Sequence, residues 1–168
     1  MLYRERPLPA NAAPGTKPAR EPVADIPLPP NLRRALVVLI RGSDGTHTAR
    51  VIEDDPAAHP AGQLKLINCS KLAAAVGLDR RQYALAPGES TQADWGKGGV
   101  LVQVAAHKDA KWQIAFRKER LAQVHARGYV VIFDYTPDPS MTEDPAAPPP
   151  ATIRFFNEVV PPKPPAKP

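Results

Sequence analysis

The distribution of proline constrains this chain more than any other feature of its sequence. Residues 1–30 hold eight prolines and residues 137–168 hold eleven, whereas residues 31–136 hold three. Proline lacks an N–H and fixes φ, so dense proline cannot run through a helix interior or a central strand. We therefore predict a folded core over residues 31–136 and a proline-rich N-terminal arm over residues 1–30.

The C-terminal segment carries one further element between two stretches of proline. The run "ATIRFFNEVV" at 151–160 is apolar, and the prolines on both sides of it favour an edge strand. We predict a proline-rich loop over 137–150 and a proline- and lysine-rich tail over 161–168. The tail sequence "PPKPPAKP" favours extended polyproline II structure, which is typical of a spacer. At the other end, "LYRERPLP" is interpreted as the remnant of an earlier strand.

Short apolar or alternating runs recur about every ten residues, separated by turn residues. They lie at 33–42, 46–53, 63–70, 72–78, 81–90, 98–107, 110–118, 129–135 and 151–160. The segment 119–128 fits one helical turn and a bent strand equally well. The pattern predicts an all-β fold, an antiparallel immunoglobulin-like β-sandwich of about eight or nine strands. A partly open β-barrel is the alternative.

Three connections have recognisable turn chemistry. Pro87-Gly88 suits the central positions of a type II turn, where proline fixes φ and glycine takes a positive φ. The segment "HKDA" at 107–110 predicts a hairpin turn. The proline-broken segment 54–62 predicts a loop, with Asp55 capping at most one helical turn.

The charge balance is basic without being concentrated. The chain has a net charge of +5, and residues 31–136 hold fifteen Lys/Arg against ten Asp/Glu. Such a surface favours acidic partners such as nucleic acid, anionic lipid or an acidic polymer. The candidate basic binding surface consists of Arg33, Arg34, Arg80, Arg81, Arg117 and Lys118. No apolar run approaches the length of about 20 residues that crosses a bilayer, and the N-terminus lacks the apolar centre of a secretory signal.

The tripeptide Asn68-Cys69-Ser70 contains the only cysteine of the chain. A reactive thiol needs an accessible, electropositive setting, but a lone cysteine on a strand is usually a small buried hydrophobe. We expect the second case for Cys69. Asn68 and Ser70 are expected to end the strand and to bond to turn backbone.

Metal binding and catalysis find little support in the sequence. The four histidines, His47, His59, His107 and His125, show none of the spacings that a zinc site prefers. The loop from Asp54 to His59 is a weak candidate for a metal-dependent hydrolase site, because its acidic residues are more typical of a solvated loop. The motifs of nucleophilic catalysis and of phosphate loops are missing. We predict no enzymatic activity, no metal and no cofactor.

Aromatic residues are scarce, at 6% of the chain. Trp95, Trp112, Tyr83, Tyr129, Phe133 and Tyr135 could stack on nucleic-acid bases if they were exposed beside arginines. A sandwich core needs several aromatic side chains, so we expect most of them to be buried.

Five segments in order carry a resemblance to a known family. They are "DIPLPPNLRRALVVLI", "DDPAAHPAGQLKLINCS", "YALAPGES", "VQVAAHKDAKWQIAFRKERL" and "YVVIFDYTPDPS". The series resembles uncharacterised β-sandwich proteins encoded by Verrucomicrobia and related bacteria, over about residues 25–160. Those proteins look exported, with an N-terminal signal and additional strands before this region, and we expect both to be missing from this sequence. The resemblance implies the periplasm or cell envelope and supplies no catalytic residues.

Together these features predict a non-enzymatic β-sandwich scaffold or protein-interaction domain of the bacterial cell envelope. The alternative is a charge-driven binding module for an acidic polymer, a glycan or nucleic acid, using the six basic residues named above. A protein partner is the first expectation, because fold pattern alone does not identify a ligand.

Overall fold

The computed structural model describes residues 2–5, 7–42, 46–136 and 148–160. The tail predicted at the C-terminus and most of the loop predicted over 137–150 lie outside these ranges.

All regular elements in the described ranges are β-strands. They are β1 (Leu2–Glu5), β2 (Arg20–Ala24), β3 (Ala35–Arg41), β4 (His47–Glu53), β5 (Gln63–Asn68), β6 (Ala74–Leu78), β7 (Arg81–Leu85), β8 (Ser90–Asp94), β9 (Gly99–Lys108), β10 (Lys111–Leu121), β11 (Ala126–Asp134) and β12 (Ala151–Val159). The nine predicted strands are all found. The ambiguous segment 119–128 is divided, because β10 continues through Leu121 and β11 begins at Ala126.

The chain consists of two compact units, Met1–Ala58 and His59–Pro168. In the first unit, β1 pairs with β2 and β3 pairs with β4, both antiparallel. The boundary therefore lies further along the chain than residue 31, because β3 and β4 form a two-stranded sheet of their own.

β1 falls within the segment interpreted as the remnant of an earlier strand, whereas β2 was not predicted. Strands therefore precede residue 25, contrary to expectation, and they lie within the proline-rich arm. Four prolines of that segment fall in the connection between the two strands, where they interrupt no ladder. Pro22 lies within β2, opposite Tyr3, where the register shifts. A two-stranded sheet has only edge strands, and edge strands tolerate proline.

The second unit is a β-sandwich. One sheet has the strand order β10-β9-β6-β7 and the other has the order β12-β11-β5-β8. Buried side chains from both sheets form a single hydrophobic core, which includes Leu66 and Ile132 of one sheet and Val76 and Val104 of the other. The all-β sandwich is confirmed, and the strands form two separate sheets rather than a barrel.

One pairing differs from the antiparallel expectation. β11 pairs with β5 in parallel, from Gly128↔Leu64 to Ile132↔Asn68. β5 and β11 are the two central strands of their sheet, and both are buried on both faces. β12 lies at the edge of this sheet, the position that its flanking prolines favour.

The strand β8 was also missed, because "STQAD" has no apolar alternation. Only Ala93 on this strand is fully buried in the core. Its pairing with β5, from Gln63↔Asp94 to Ile67↔Ser90, places it in the sheet.

Candidate functional site

The face of sheet β10-β9-β6-β7 that points away from the core is here called the outer face. Its residues alternate with those of the core along each strand, so they can be assigned from the register. An apolar row crosses all four strands, formed by Ala84, Ala75, Ala105 and Ile114. Because three of these four residues are alanines, the middle of the row offers little side-chain bulk.

A polar row lies one step along the strands from the apolar row. It is formed by Gln82, Gly77, Gln103 and Arg117, which are again cross-strand neighbours. Directly opposite residues of an antiparallel pair have side chains on the same face and within reach of each other. Two amides and a guanidinium group therefore flank a glycine on this face.

A β-bulge in β10 decides which of its apolar side chains join this face. Period-two alternation by itself predicts that Trp112, Ile114 and Phe116 share one face. The register shifts between Ile114 and Phe116, and Phe116 packs against the core. Trp112 and Ile114 stay outside, each 55% exposed. An extra residue in a strand changes which face the following side chains occupy, so alternation alone could not predict this arrangement.

The small residues of β6 and β9 form the floor of a groove of about 230 Å³ that is open to solvent. Its lining combines Ala75, Gly77, Asp79, Arg80, Arg81, Gln82, Leu101, Gln103 and Ala105. A Cβ atom added to Gly77 would lie 3.7 Å from Cβ of Gln103, an ordinary contact. The groove therefore follows from small side chains on adjacent strands, and not from a gap in the backbone.

Two charged side chains of the groove are held by neighbouring groups. Arg81 donates from Nη2 to the carbonyl oxygen of Asp94 at 2.7 Å, and its Nη1 lies 3.6 Å from Oδ2 of Asp94. Asp79 Oδ1 accepts a hydrogen bond from the backbone N–H of Leu101 at 2.8 Å. These contacts fix the end of the groove near the β6–β7 turn.

Three other side chains remain available to a ligand. The side chains of Arg80, Gln82 and Gln103 form no hydrogen bond or ion pair with any other residue in the described ranges. An amide can both donate and accept, and a guanidinium group donates in a planar fork. The groove therefore presents bonding capacity that the protein itself does not use.

Trp112 stands beyond the apolar row, in register with His107. The two rings are 5.2 Å apart between centroids and tilted by 57°. This contact orients an indole ring that is still more than half exposed. It adds a flat apolar surface to the outer face.

The six basic residues predicted from sequence do not form one surface. Arg33 and Arg34 belong to the Met1–Ala58 unit, where Nε of Arg34 lies 3.4 Å from Oδ2 of the buried Asp54. Lys118 follows Arg117 directly in β10, and consecutive strand residues point to opposite faces. Arg81 borders the groove, but it directly precedes the outward-facing Gln82, pairs with the core residue Leu78 and bonds to Asp94 of β8 in the other sheet. Of the six, only Arg80, which lines the groove, and Arg117 therefore serve the outer face.

Acidic groups balance Arg80 and Arg117. Asp79 lines the groove, and Glu119 lies opposite Leu101 on the outer face. Binding driven by a concentrated positive field is therefore not favoured at this place. Hydrogen bonding and flat apolar contact are its dominant chemistry.

The other sheet carries a buried polar cluster. Arg127 is 1% exposed and forms an ion pair with Glu158 of β12. Tyr129 stacks on Phe156, with ring centroids 4.6 Å apart, and its hydroxyl lies 3.5 Å from Glu158. His59 packs edge-on against the same tyrosine ring. These contacts hold β12 to β11, so the cluster stabilises the sheet.

The side chains of the 54–59 loop that were considered as metal ligands bond to other groups of the protein instead. Asp54 pairs with Arg34, and Asp55 Oδ1 accepts a hydrogen bond from the N–H of Ala57 at 2.9 Å. Nε2 of the fully buried His59 lies 3.2 Å from the carbonyl oxygen of Gln63. Among the described residues, no group of three or more His, Cys, Asp or Glu side chains is arranged to hold a metal ion.

Asn68 and Ser70 bond to turn backbone, as the sequence predicted. Asn68 Nδ2 donates to the carbonyl oxygens of Leu72, Leu85 and Ala86, at 2.8, 3.1 and 3.1 Å. Ser70 Oγ accepts a hydrogen bond from the backbone N–H of Leu72 at 3.3 Å and donates to Asn68 Oδ1 at 2.7 Å. Cys69 is only partly buried, so the expectation of a fully buried cysteine is wrong, because it lies beyond the end of β5.

The aromatic side chains follow the expectation of core packing, with one exception. Trp95 and Tyr129 are buried, Tyr83 packs against the core, and Phe133 and Tyr135 are partly buried. Trp112 is the one of the six that lies mostly exposed.

Sequence reasoning missed the groove. The signal that could have found it was the small outward-facing pair Ala75 and Gly77 on β6, beside Gln103 and Ala105 on β9. That signal has meaning only once β6 and β9 are known to be neighbours.

Comparisons with protein-family models, with curated proteins and with solved structures find no match to this chain. Within the described ranges, no helix has the length and apolar character needed to span a membrane. The functional conclusion therefore depends on the chemistry of the outer face.

Proposed function

We propose that the protein is a non-enzymatic binding module of the bacterial cell envelope that holds a linear polymer along the groove of its outer face. The observation that carries the proposal is the floor of small residues, Ala75, Gly77 and Ala105, beside the uncommitted amides of Gln82 and Gln103. The envelope location and the immunoglobulin-like character come from the sequence resemblance and pattern.

The size of the face favours a chain over a globular partner. Four strands are about 14 Å wide and residues 101–107 of β9 span about 20 Å, so the face offers about 300 Å². A stable interface between two proteins buries about 800 Å² on each side. A linear polymer needs only a strip of surface, and the groove supplies one.

The lining groups are suited to holding a ligand. Amide and guanidinium side chains bind through hydrogen bonds and exchange no proton near neutral pH. The carboxylate that lines the groove, Asp79, accepts a hydrogen bond from the backbone of Leu101. This chemistry supports recognition without catalysis.

A partner protein, the first expectation from the sequence, is the second candidate here. It is favoured by Trp112, Ile114 and Leu101, which are 55%, 55% and 37% exposed on one face. Exposed aromatic side chains are frequent anchors of protein interfaces. We rank this candidate lower because the face is small.

The proposal is tested by electrophoresis of the native protein through gels that contain acidic polysaccharides, neutral polysaccharides or single-stranded nucleic acid. We expect retardation by at least one polymer. Ala105→Leu fills the groove and should abolish the retardation. Ala84→Leu adds the same volume to the same apolar row outside the groove and should leave it unchanged.

The salt dependence of the retardation shows whether the polymer is held mainly by charge. Retardation should depend weakly on salt, because the local charges nearly cancel, whereas charge-driven binding falls steeply with salt. If no polymer retards the protein, and variants of Trp112 become cross-linked to a specific protein, the polymer proposal is wrong. The protein scaffold then takes its place.

A further inference from the structure

We infer that the polymer held by the groove is a linear glycan whose sugar units carry carboxylate groups. The inference rests on the proposed function and names the ligand class of that same groove. It follows from comparing what each kind of chain requires with what the outer face provides.

A polypeptide is poorly served by this position. An extended peptide must pair its own N–H and C=O groups, and it usually does so at the edge of a sheet. The groove lies over β6 and β9, whose backbone groups pair with β7, β10 and each other. A peptide lying there would find only side chains, and most of its backbone groups would be left without partners.

The longer edge of this sheet is also poorly suited to an added strand. β10 is the longer edge, and it carries the bulge between Ile114 and Phe116. Bulges and charged side chains on an edge strand oppose pairing with another chain. Arg117, Lys118 and Glu119 on β10 supply such charges.

Nucleic acid requires features that the face lacks. Proteins that bind single strands combine basic grooves with several aromatic platforms on which successive bases stack. The outer face has Arg80 and Arg117, against Asp79 and Glu119. Trp112 is the exposed ring here, so a series of stacked bases would find one platform.

A glycan chain matches the arrangement group by group. Sugar hydroxyls both donate and accept, as do the amides of Gln82 and Gln103. The C–H faces of sugar rings are apolar and carry slight positive charge, so they pack on the negative face of an indole ring such as Trp112. The alanine and glycine floor lets flat rings approach the sheet closely.

The carboxylate requirement comes from Arg80. This guanidinium group lines the groove and has no ionic partner in the described ranges. Its fork of donors matches the two oxygens of a carboxylate. Arg117 closes the polar row on the opposite side, next to Gln103. Acidic sugars therefore complement the groove better than neutral ones.

The test is isothermal titration calorimetry of the full chain with defined oligosaccharides. Oligogalacturonate, oligomannuronate and hyaluronan fragments are the carboxylated probes, and carboxyl-reduced oligogalacturonate is the neutral counterpart. Poly-glutamate and oligo-deoxythymidine provide the same charge on peptide and nucleic-acid chains. We expect at least one carboxylated glycan to bind, at least tenfold more tightly than the reduced, peptide or nucleotide probes.

Two substitutions locate the binding and two matched changes control it. Arg80→Gln and Gln103→Leu should each weaken binding roughly tenfold or more. The first variant loses a hydrogen bond between two charged groups, and the second loses the donor and the acceptor of the Gln103 amide. Arg154→Gln and Gln92→Leu alter exposed residues of the other sheet and should leave the affinity unchanged. Thermal melts check that all four variants fold.

Each possible result of the titrations either supports or overturns the inferred ligand class. Preferential binding of a carboxylated glycan that Arg80→Gln weakens supports the inference. Equal binding of the reduced glycan, or binding insensitive to both groove substitutions, overturns it. Binding of only poly-glutamate or oligo-deoxythymidine also overturns it, yet leaves the polymer-binding function standing. If nothing binds in calorimetry or in the gels, both proposals fall.

Discussion

Asn68 and Leu85 are joined by a buried hydrogen bond that links the two sheets of the sandwich. Nδ2 of Asn68, at the end of β5, donates to the carbonyl oxygen of Leu85, at the end of β7, at 3.1 Å. The backbone of Asn68 also bonds to Gly88 and Glu89, in the turn that follows β7. One side chain thus connects strands from opposite sheets and orders the turn between them.

Replacing Asn68 with alanine should therefore destabilise the sandwich strongly. The carbonyl oxygens of Leu72, Leu85 and Ala86 all accept from its amide. A buried polar group that loses its partner costs about 1–3 kcal/mol, so we expect a loss of about 3 kcal/mol in the free energy of unfolding. Urea denaturation monitored by tryptophan fluorescence measures it. Asn157→Ala, on an exposed position of β12, should change stability by less than about 0.5 kcal/mol. Equal stability of the two variants would contradict the role of Asn68.

Two glycines of the sandwich should respond oppositely to alanine. A Cβ on Gly128 would meet Cζ3 of Trp95 at 2.2 Å and Cδ2 of Leu64 at 2.4 Å, whereas a Cβ on Gly77 meets nothing closer than 3.7 Å. We expect Gly128→Ala to cost about 3 kcal/mol through overpacking. Gly77→Ala should be neutral or stabilise slightly, because glycine weakens a strand interior. Thermal melts decide between them, and a Gly128→Ala variant as stable as Gly77→Ala would show that the packing around Trp95 yields easily.

The hairpin turn between β9 and β10 stores strain. Asp109 and Ala110 have φ values of 53° and 60°, in the left-handed region. Ala110 is neither a glycine nor a residue with a short polar side chain, which are the types that adopt this region readily. Ala110→Gly should raise the free energy of unfolding by about 1 kcal/mol. Ala84→Gly, in an exposed strand position, should lower it by about 0.5–1 kcal/mol. The measured signs in urea denaturation should therefore be opposite, and a destabilising Ala110→Gly would refute the strain.

The ion pair between Arg127 and Glu158 should matter more than the ion pair between Arg81 and Asp94. Arg127 is 1% exposed on its side chain and Glu158 is 38% exposed, whereas Arg81 and Asp94 are 41% and 71% exposed. Removing one partner of a fully buried pair costs about 3–5 kcal/mol, and partial exposure of Glu158 reduces our expectation to about 2 kcal/mol for Glu158→Gln. Asp94→Asn should cost less than about 1 kcal/mol. Raising the salt concentration should affect only the exposed pair noticeably, and comparable losses for both variants would contradict the difference in burial.

The sequence by itself determined where most strands and turns lie. Period-two alternation and β-branched residues marked β5, β9 and β11, because these side chains must fill the core from one or both faces. The Pro87-Gly88 turn was also local, and Gly88 has a φ of 82° while Glu89 N–H bonds to the carbonyl oxygen of Ala86 at 3.0 Å. These features depend on neighbours within a few residues, so a single sequence reveals them.

Only the tertiary structure decided which strands are neighbours. The parallel pairing of β5 with β11 and the adjacency of β6 and β9 join segments that are far apart in the chain. The polar row that contains Gln82, Gly77, Gln103 and Arg117 exists through those pairings, and the bulge in β10 selects Trp112 and Ile114 for the outer face. Strand partners and register are set by the global packing of the core, and for this reason the groove could not be predicted from local sequence.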